Sequence, residues 1–391
     1  MKILFVNFTK MVGDTGGVAK VACAFANEMI QRGHEVSMVY SDEKEGPFFF
    51  PVSESFHCYN VKKCKDGKII KFPWYMKLYR EMVRCFDRKE AQNINRDFDG
   101  KKLTDNLRDL VNNLQPDVIV SYQIEGTIHL LWTLKIKIPV ITMSHGAQRE
   151  SYDEKETFAL EHSKVYQVLT EGFKEQIHNV LPNVNVVTIG NAIPIPATTV
   201  DLTEQKERYK VIFVGRLNRN HKRPHLLIQA FAKLSTLFPN WDVELWGAED
   251  RKEYTHYLKK IISDNGLDNR VILCGATDKV GEKLLQADIF AFPSAYEGFG
   301  MALAEGMSVG LPCVGYKSCP AVNELIEDGV NGYLCDDGVD AFADALSKLM
   351  SNQDLRIRMG RVAREKMQQY EPRVIWDKWE ELLRNVVQEG V

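Results

Sequence analysis

Short apolar segments alternate with longer segments of helical periodicity along most of this chain. The short segments are rich in Val, Ile and Phe, and in the longer ones apolar residues recur every three or four positions. This alternation is typical of a parallel sheet that is covered by helices on both faces. The candidate strands are 3–7, 35–40, 118–122, 140–143, 165–169 and 186–189 in the first half, and 211–214, 242–246, 271–274, 289–292, 313–315 and 332–334 in the second.

The alternation is interrupted between residues 191 and 199, where two prolines and a polar run indicate a linker. With 391 residues, the chain also exceeds the length at which a single hydrophobic core stops growing. We therefore predict an α/β protein with two doubly wound Rossmann-like domains, residues 1–194 and residues 195–371. The segment after residue 371 has the pattern of an amphipathic helix with two tryptophans, Trp376 and Trp379.

Composition and charge exclude several classes of protein. The net charge of −3 gives no reason to expect nucleic-acid binding. The N-terminal segment lacks the pattern of a signal peptide and no apolar run is long enough to span a bilayer, so we expect a cytoplasmic protein. The eight cysteines form no close C-x-x-C pair, and we expect free thiols rather than a zinc or redox site.

The most informative stretch is 296–305, which follows a candidate strand and combines a helix start with two carboxylates. A helix is predicted to open near Gly300, and its first backbone N–H groups favour an anion such as a phosphate beside Phe299, Gly300 and Met301. Glu297 and Glu305 would repel that phosphate, so they are better suited to accept hydrogen bonds from the hydroxyls of a sugar and a ribose. The alternative is a solvated loop acid and an ordinary early-helix acid.

In open parallel sheets, ligands bind beyond the carboxyl ends of the strands, and two more loops there suit a diphosphate. Residues 13–20 form a glycine-rich turn that opens a helix and contains Gly16 and Gly17, although glycine pairs also serve as plain turns. Residues 215–224 form a basic loop in which Arg216 and Lys222 could grip a diphosphate. A solvated basic loop is the alternative for this segment.

Two further loops carry weaker signals. His145 follows strand 140–143, although a lone histidine is more often structural than functional. The turn after strand 271–274, formed by Gly275, Ala276 and Thr277, could hold the edge of a nucleotide base by its backbone. Asp336 and Asp337 are more simply solvent-exposed than metal ligands.

With these residues in place, the chain resembles the retaining glycosyltransferases of family 4 (GT4), which have the GT-B fold. The resemblance rests on the Gly16-Gly17 loop, the 215–217 stretch with Lys222, the E-x7-E spacing from Glu297 to Glu305, and the run 324–332. It implies two Rossmann-like domains facing each other across a cleft. The N-terminal domain would bind the acceptor, and the C-terminal helix 372–391 would pack back on it. The C-terminal domain would bind the nucleotide sugar.

The resemblance also implies residue roles. The implied catalytic residues are Glu297, His145, Arg216 and Lys222, and the implied donor-binding residues are Gly16, Gly17, Arg216, Lys222, Gly275, Ala276, Thr277, Phe299, Gly300, Met301 and Glu305. The enzyme would move a hexose or N-acetylhexosamine, with UDP as the expected nucleotide, to a glycan or lipid-linked glycan in surface polysaccharide, lipopolysaccharide or glycoprotein glycan assembly. It would use neither metal nor cofactor. The alternatives are a sugar phosphorylase, a nucleotide-sugar epimerase and a non-catalytic nucleotide-sugar-binding subunit.

Residues 62–89 interleave cations with large aromatic side chains. Such a surface could rest on an anionic membrane and bring the N-terminal domain to a lipid-linked acceptor. A solvated basic insertion is an equal alternative, and the aromatic residues could instead line an acceptor groove or simply pack.

Overall fold

The computed structural model describes residues 1–14, 16–64, 67–146 and 148–389, with all their side chains except those of residues 88, 89, 92, 93, 95–99, 101 and 102. Thr15 of the predicted glycine-rich loop therefore lies outside the described residues. So do Lys65, Asp66 and the side chains of Arg88 and Lys89 in the basic region.

The chain divides into two compact units. Unit 1 comprises residues 1–168, 174–189 and 376–391, and unit 2 comprises residues 169–173 and 190–375. The acceptor-binding and donor-binding roles expected for two domains stay predictions.

Unit 1 is built on a parallel sheet of seven strands in the order β3-β2-β1-β4-β5-β6-β7. The inner strands of the sheet are almost entirely buried, and their high Val and Ile content reflects that burial, whereas the edge strand at 57–60 is partly exposed. The strands are β1 Lys2–Asn7, β2 Glu35–Tyr40, β3 His57–Asn60, β4 Val118–Ser121, β5 Val140–Met143, β6 Val165–Val168 and β7 Val186–Thr188.

The helices before residue 190 fit this sheet through apolar faces of helical spacing. In the first of them, Ala22, Phe25, Ala26 and Met29 are buried at the i, i+3, i+4, i+7 positions of one face. The helices are α1 Gly17–Gln31, α2 Trp74–Arg84, α3 Arg88–Leu114, α4 Ile124–Thr127 with the π-helical turn Ile128–Thr133, α5 Glu154–His162 and α6 Glu171–Val180.

Unit 2 has a parallel sheet of six strands in the order β10-β9-β8-β11-β12-β13. Its strands are β8 Tyr209–Val214, β9 Trp241–Trp246, β10 Val271–Gly275, β11 Ile289–Phe292, β12 Cys313–Tyr316 and β13 Gly332–Cys335.

The remaining helices run from the linker region to the C-terminus. They are α7 Pro224–Leu234, α8 Lys252–Asp264, α9 Val280–Leu284, α10 Met301–Ser308, α11 Val322–Leu325, α12 Val339–Ser351, α13 Gln353–Met367 with the 3-10 turn Gln368–Tyr370, and α14 Pro372–Gln388.

The last helix, α14, packs on α1 within unit 1. The ring of Trp376 stacks on Phe25 with centroids 5.3 Å apart, and the ring of Trp379 lies 4.7 Å from the same phenylalanine. Arg32, the C-cap residue of α1, donates hydrogen bonds to Asp377 at 2.7 Å and to Glu380 at 2.8 Å. Hydrogen bonds from Arg32 and Arg384 lower the pKa of Glu380 to about 2. Aromatic packing and charge pairing together fix the returning helix on α1.

The predicted α/β architecture with two doubly wound parallel sheets is confirmed, and each predicted strand is present within a residue or two of its expected ends. Strand β3 was not predicted. Both sheets reverse their strand order at one point, between β1 and β4 in unit 1 and between β8 and β11 in unit 2. Ligands bind at such switch points in open α/β sheets, so the loops after these four strands are candidate binding loops.

The helices in the described part of the chain include none with the length and apolar content of a membrane span.

Candidate functional site

The loop between β8 and α7 is shaped by the side chain of Asn218. Its Oδ1 accepts hydrogen bonds from the backbone N–H groups of His221 at 3.1 Å and of Lys222 at 2.9 Å. This turn is typical of asparagine, which can replace a backbone acceptor in a loop. Pro224 then occupies the first turn of α7, where its fixed φ angle suits the helix. The turn thereby fixes where the Lys222 side chain leaves the backbone.

The loop between β11 and α10 ends in a glycine cap. Gly300 has φ 84° and ψ 47°, a left-handed conformation that glycine adopts without steric cost, and α10 begins at Met301. The prediction that a helix opens near Gly300 is confirmed. Phe299 is buried, and its ring meets Tyr370 edge-on with centroids 5.1 Å apart. The first N–H groups of α10 have no partner within the helix and favour a negative charge.

These two loops meet in a buried ion pair between Lys222 and Glu297. Nζ of Lys222 donates to Oε1 of Glu297 at 2.5 Å, and Glu297 is only 6% exposed. The same Nζ lies 4.7 Å from the centroid of the Phe292 ring. His221 stacks face to face on Tyr296 at 4.2 Å, with its Nε2 3.5 Å from Oε1 of Glu297. Unit 2 thus holds an acid, a lysine and an imidazole together at its switch point.

Opposing effects act on the Glu297 carboxyl. Burial alone would raise its pKa, but the neighbouring His221 and Lys222 outweigh burial and hold the pKa below its ordinary value. Glu297 is therefore a carboxylate at neutral pH. Two buried polar atoms, Oγ of Ser294 and Nε2 of His221, face the same carboxylate, and a polar ligand would compete for them.

Arg223 ties the two loops together from an unusual backbone conformation. It caps α7 with φ 49° and ψ 42°, in the left-handed region. Its guanidinium donates to the carbonyl oxygens of Pro293 and Ser294, both at 2.9 Å, and to Asp337 at 3.2 Å. It also lies 4.8 Å from the centroid of the Tyr316 ring. Sequence reasoning missed this residue, because no pattern signals a left-handed arginine.

Two other predicted residues of unit 2 lie on the loop after β8 and on α10. Arg216 is exposed, and its side chain has no hydrogen bond or ion pair with any residue that the structure describes. Glu305 is partly buried on α10.

The predicted base-binding turn lies further along the sheet. Gly275 ends the edge strand β10, with Ala276 and Thr277 just after it, and β9 separates β10 from β8. The loops are nevertheless linked, because the N–H of Gly247 donates to the carbonyl of Gly275 at 2.8 Å. A Cβ at Gly247 would lie 1.9 Å from the carbonyl oxygen of Gly215, so only glycine fits between these loops.

In unit 1, the predicted glycine-rich turn does open a helix. Gly16 is the N-cap residue of α1, and Gly17 is the first residue of the helix. The N–H of Gly16 donates to Oδ1 of Asp14 at 3.1 Å. The turn lies after β1, at the switch point of this sheet.

His145 follows β5 and stacks on Tyr122, with ring centroids 5.4 Å apart and an angle of 18° between the planes. Burial lowers the pKa of His145 to about 4, so the imidazole is neutral at pH 7. Nε2 of His145 and the hydroxyl of Tyr122 are buried and have no hydrogen-bond partner among the described residues. Both residues border an open cavity of about 1290 Å³ in unit 1.

Tyrosines and a glutamine line the same cavity. The Tyr166 and Tyr152 hydroxyls donate to Oε1 of Gln148 at 3.0 and 3.2 Å, and Nε2 of Gln148 donates to Oγ of Ser144 at 2.8 Å. Among these residues and the stacked pair His145 and Tyr122, only His145 was predicted from the sequence as a site residue. Tyr122 could also have been recognised, because it stands at the carboxyl end of a predicted strand.

Among the residues that the structure describes, no group of three or more His, Cys, Asp or Glu side chains is arranged to hold a metal ion.

The chain is similar to known proteins along most of its length. Residues 196–366 match the family described as Glycosyl transferases group 1. An uncharacterized glycosyltransferase of Haemophilus influenzae is 23% identical over 385 residues, covering 96% of this chain and 98% of the relative. The N-acetyl-alpha-D-glucosaminyl L-malate synthase of Bacillus anthracis is 28% identical over 269 residues, covering 65% of this chain and 69% of the relative.

The fold also has a solved counterpart. A mutant of S. aureus TarM, in complex with Fondaparinux, alpha-GlcNAc-glycerol and UDP, superposes with a TM-score of 0.74 at 17% identity. The superposition covers 98% of this chain and all of that one. At this identity the likeness establishes the fold alone.

Proposed function

Because the chain belongs to the group 1 glycosyltransferases and has the GT-B fold, we propose that it transfers a hexose or N-acetylhexosamine from a nucleotide sugar to a glycan or lipid-linked glycan. We further propose that the transfer retains the anomeric configuration and needs no metal ion. Two similar proteins support the donor class: the TarM mutant was solved in complex with UDP, and the Bacillus anthracis relative is named N-acetyl-alpha-D-glucosaminyl L-malate synthase. We therefore propose UDP as the nucleotide and assembly of a surface glycan as the process.

The observation that carries this proposal is the Lys222–Glu297 pair at the switch point of unit 2. A lysine ammonium is suited to a phosphate oxygen, and a buried carboxylate is suited to accept hydrogen bonds from sugar hydroxyls. The two groups sit beside the N-terminus of α10, which favours a further phosphate charge. The two loops of unit 2 therefore offer partners for both the sugar and the phosphates of a sugar diphosphate.

The proposed reaction breaks the bond between the anomeric carbon and the donor phosphate oxygen. As the nucleoside diphosphate leaves, positive charge develops at the anomeric carbon and negative charge grows on the phosphate. Arg216, Lys222 and the first N–H groups of α10 stabilise that negative charge more in the transition state than in the bound donor. The carboxylate of Glu297 holds the sugar and offsets the developing positive charge, and Glu305 accepts from the ribose.

The acceptor hydroxyl attacks the sugar from the same face from which the leaving group departs. The new glycosidic bond therefore keeps the original anomeric configuration. The departing phosphate oxygen takes the hydroxyl proton. The cavity in unit 1 provides aromatic faces and hydrogen-bonding groups suited to a sugar acceptor. His145 is neutral there and would position the acceptor rather than serve as an obligatory base.

A screen of nucleotide sugars by thermal shift identifies the donor, because a ligand that binds only the folded state raises its stability. Release of nucleoside diphosphate is then measured with and without candidate glycan acceptors, in the presence of a chelator. We expect acceptor-dependent release that survives chelation, and an NMR spectrum of the product that shows the donor's anomeric configuration. Inorganic phosphate as the required acceptor would indicate a phosphorylase, and an isomerised donor without any acceptor would indicate an epimerase.

A further inference from the structure

Helix α2 lies on the surface of unit 1 and buries none of its side chains. Large apolar side chains are nevertheless concentrated on it and just beyond its end. They are Trp74, Tyr75, Leu78, Tyr79, Met82 and Phe86, with exposed fractions of 77%, 57%, 60%, 53%, 60% and 92%. Soluble proteins rarely expose contiguous apolar patches of this kind without a function in binding.

The exposed side chains form a single stripe. Residues 74, 78 and 82 repeat every four positions, and Tyr75 and Tyr79 form the adjacent row on the same helix face. Met76, Arg80 and Val83, on the other face, are partly buried. The Arg80 guanidinium lies 5.6 Å from the centroid of the buried Phe72 ring. The helix is thus held by one face, and the apolar stripe points outward.

Positive charge surrounds the stripe. Residues 62–84 contain eight Lys and Arg against two acids, a net +6 in a chain whose total is −3. Lys71, Lys77 and Arg84 are exposed on or next to α2. Acids neutralise part of this charge, since Glu81 pairs with Arg84 at 2.7 Å and Glu43 lies 3.8 Å from Lys77. Exposed pairs of this kind are weak, so the cations remain available to a stronger anionic partner.

We propose that this α2 surface, defined by Trp74, Tyr75, Leu78, Tyr79, Met82 and Phe86 with Lys71, Lys77 and Arg84, docks on a lipid bilayer that contains anionic lipid. Tryptophan and tyrosine favour the interface between headgroups and acyl chains, and the neighbouring cations are attracted to anionic headgroups. A net positive, amphipathic helix with an outward apolar stripe has the composition of an interfacial helix.

A second copy of the chain fits the surface less well. In a symmetric dimer it would bring the same exposed cations against one another, and like charges at an interface are repelled. Charge complementarity therefore favours the bilayer.

Docking at this surface would place the cavity of unit 1 near the lipid. Helix α2 packs on α3, and α3 contributes Leu103, Thr104 and Arg108 to the cavity lining. An acceptor carried by a lipid would then be presented to the cavity without leaving the membrane. This consequence rests on the proposed function, whereas the docking itself does not.

The full chain is tested by co-sedimentation with vesicles of phosphatidylcholine alone and of phosphatidylcholine mixed with phosphatidylglycerol. We expect binding to the mixed vesicles only. The triple variant Lys71→Gln, Lys77→Gln, Arg84→Gln is expected to bind them about a hundredfold more weakly. Its matched control, Lys137→Gln, Lys164→Gln, Lys259→Gln, removes the same charge from exposed positions elsewhere and is expected to bind like the natural chain.

The apolar stripe is tested separately. Leu78→Ser is expected to weaken vesicle binding roughly tenfold. Leu237→Ser, at a still more exposed leucine of unit 2, is expected to leave it unchanged. All these side chains are exposed, and an unchanged melting temperature verifies that each variant is folded.

Three results would overturn the proposal: no binding of the natural chain to mixed vesicles, equal binding by the triple variant and the natural chain, or a dimer in solution that Leu78→Ser dissociates. Vesicle binding is measured without any sugar donor. A failure to bind vesicles can therefore be distinguished from a failure to transfer sugar.

Discussion

Lys222 and Glu297 lie 75 positions apart in the sequence, and their side chains form a buried ion pair with Nζ 2.5 Å from Oε1. The pair joins the loops that follow β8 and β11, the two strands at which the order of the unit 2 sheet reverses. The sequence led us to assign Lys222 to a diphosphate and Glu297 to a sugar. In the structure the two charges satisfy each other, so a donor phosphate has to compete with Glu297 for the lysine.

The first prediction separates the two roles kinetically. Glu297→Gln keeps the shape of the side chain and removes its charge, so we expect kcat to fall by about a hundredfold or more. The affinity for the nucleoside diphosphate should not fall, because Lys222 loses its competitor. Lys222→Ala should lower kcat and also weaken nucleotide binding by roughly tenfold or more. Titration calorimetry and initial rates measure the two effects.

Lys279→Ala serves as the control for the lysine variant. Lys279 is an exposed lysine of the same unit, 3.4 Å from Glu282, and its loss should change neither quantity. Unchanged turnover in Glu297→Gln would remove this acid from the site.

A second prediction concerns stability. Removing one member of a buried ion pair leaves the other charge buried without compensation, so Lys222→Met should lower the free energy of unfolding by about 3 kcal/mol. The double variant Lys222→Met, Glu297→Gln should recover much of that loss, because no unpaired charge remains. Chemical denaturation of the four proteins in the cycle measures the coupling. Strictly additive losses would show that the pair contributes no interaction energy.

The pH dependence of the same variants has a definite sign. In the natural chain the folded-state pKa of Glu297 lies below its ordinary value of 4.5, so its contribution to stability is present above pH 4.5 and is lost on further acidification. Lys222→Met removes two of the effects that lower this pKa, so the folded-state pKa of Glu297 should be higher than in the natural chain. The variant should therefore lose less stability than the natural chain as the pH falls below 4.5.

His145 supplies a third prediction. Its pKa is about 4 in the folded protein against an ordinary 6.5, so its contribution to stability is present above pH 6.5 and is lost as the pH falls toward 4. The loss amounts to at most about 3 kcal/mol. We expect His145→Gln to lose less stability than the natural chain between pH 6.5 and pH 4, as measured by denaturation at several pH values.

A comparison of variants is necessary here because burial also lowers the pKa of His225 to about 4. That histidine contributes the same trend to both proteins, and the difference between them isolates His145. Equal pH profiles would mean that the His145 imidazole titrates near its ordinary pKa.

The strands could be predicted because parallel strands that are buried on both faces consist of nearly continuous apolar residues. Strand β3, His57–Asn60, was not predicted because it lacks such an apolar run. It is a polar segment at the edge of its sheet, and its pairing with β2 makes it a strand. The start of α10 was predictable because a left-handed cap nearly requires glycine.

The site was predictable only in part. The spacing from Glu297 to Glu305 is local and is visible in the sequence, whereas the contact between Lys222 and Glu297 depends on which strands become neighbours. Orphaned atoms such as Nε2 of His145 and the hydroxyl of Tyr122 depend on tertiary packing, which no local pattern encodes. The hydrogen bonds of Arg223 to the facing loop depend both on which strands become neighbours and on tertiary packing.

The fourth prediction is that Arg223 positions Lys222 for the donor. Its guanidinium fixes the neighbouring lysine by binding the carbonyl oxygens of Pro293 and Ser294, which precede Glu297 in the facing loop. Its backbone is left-handed, a conformation that costs a non-glycine residue about 1–2 kcal/mol. Glycine at this position relieves the backbone cost and removes the tether. Alanine removes the tether and keeps the cost.

We therefore expect Arg223→Gly to be more stable than Arg223→Ala by about 1 kcal/mol, while both variants show a raised KM for the donor and a lowered kcat. Arg223→Lys retains the charge but cannot bind two carbonyl groups from one planar fork, so it should not restore activity. Denaturation curves measure stability, and initial rates measure kcat and KM. Full activity in the more stable glycine variant would show that the tether has no part in holding Lys222 in place, whereas a shared kinetic defect despite different stabilities would identify Arg223 as a positioning residue.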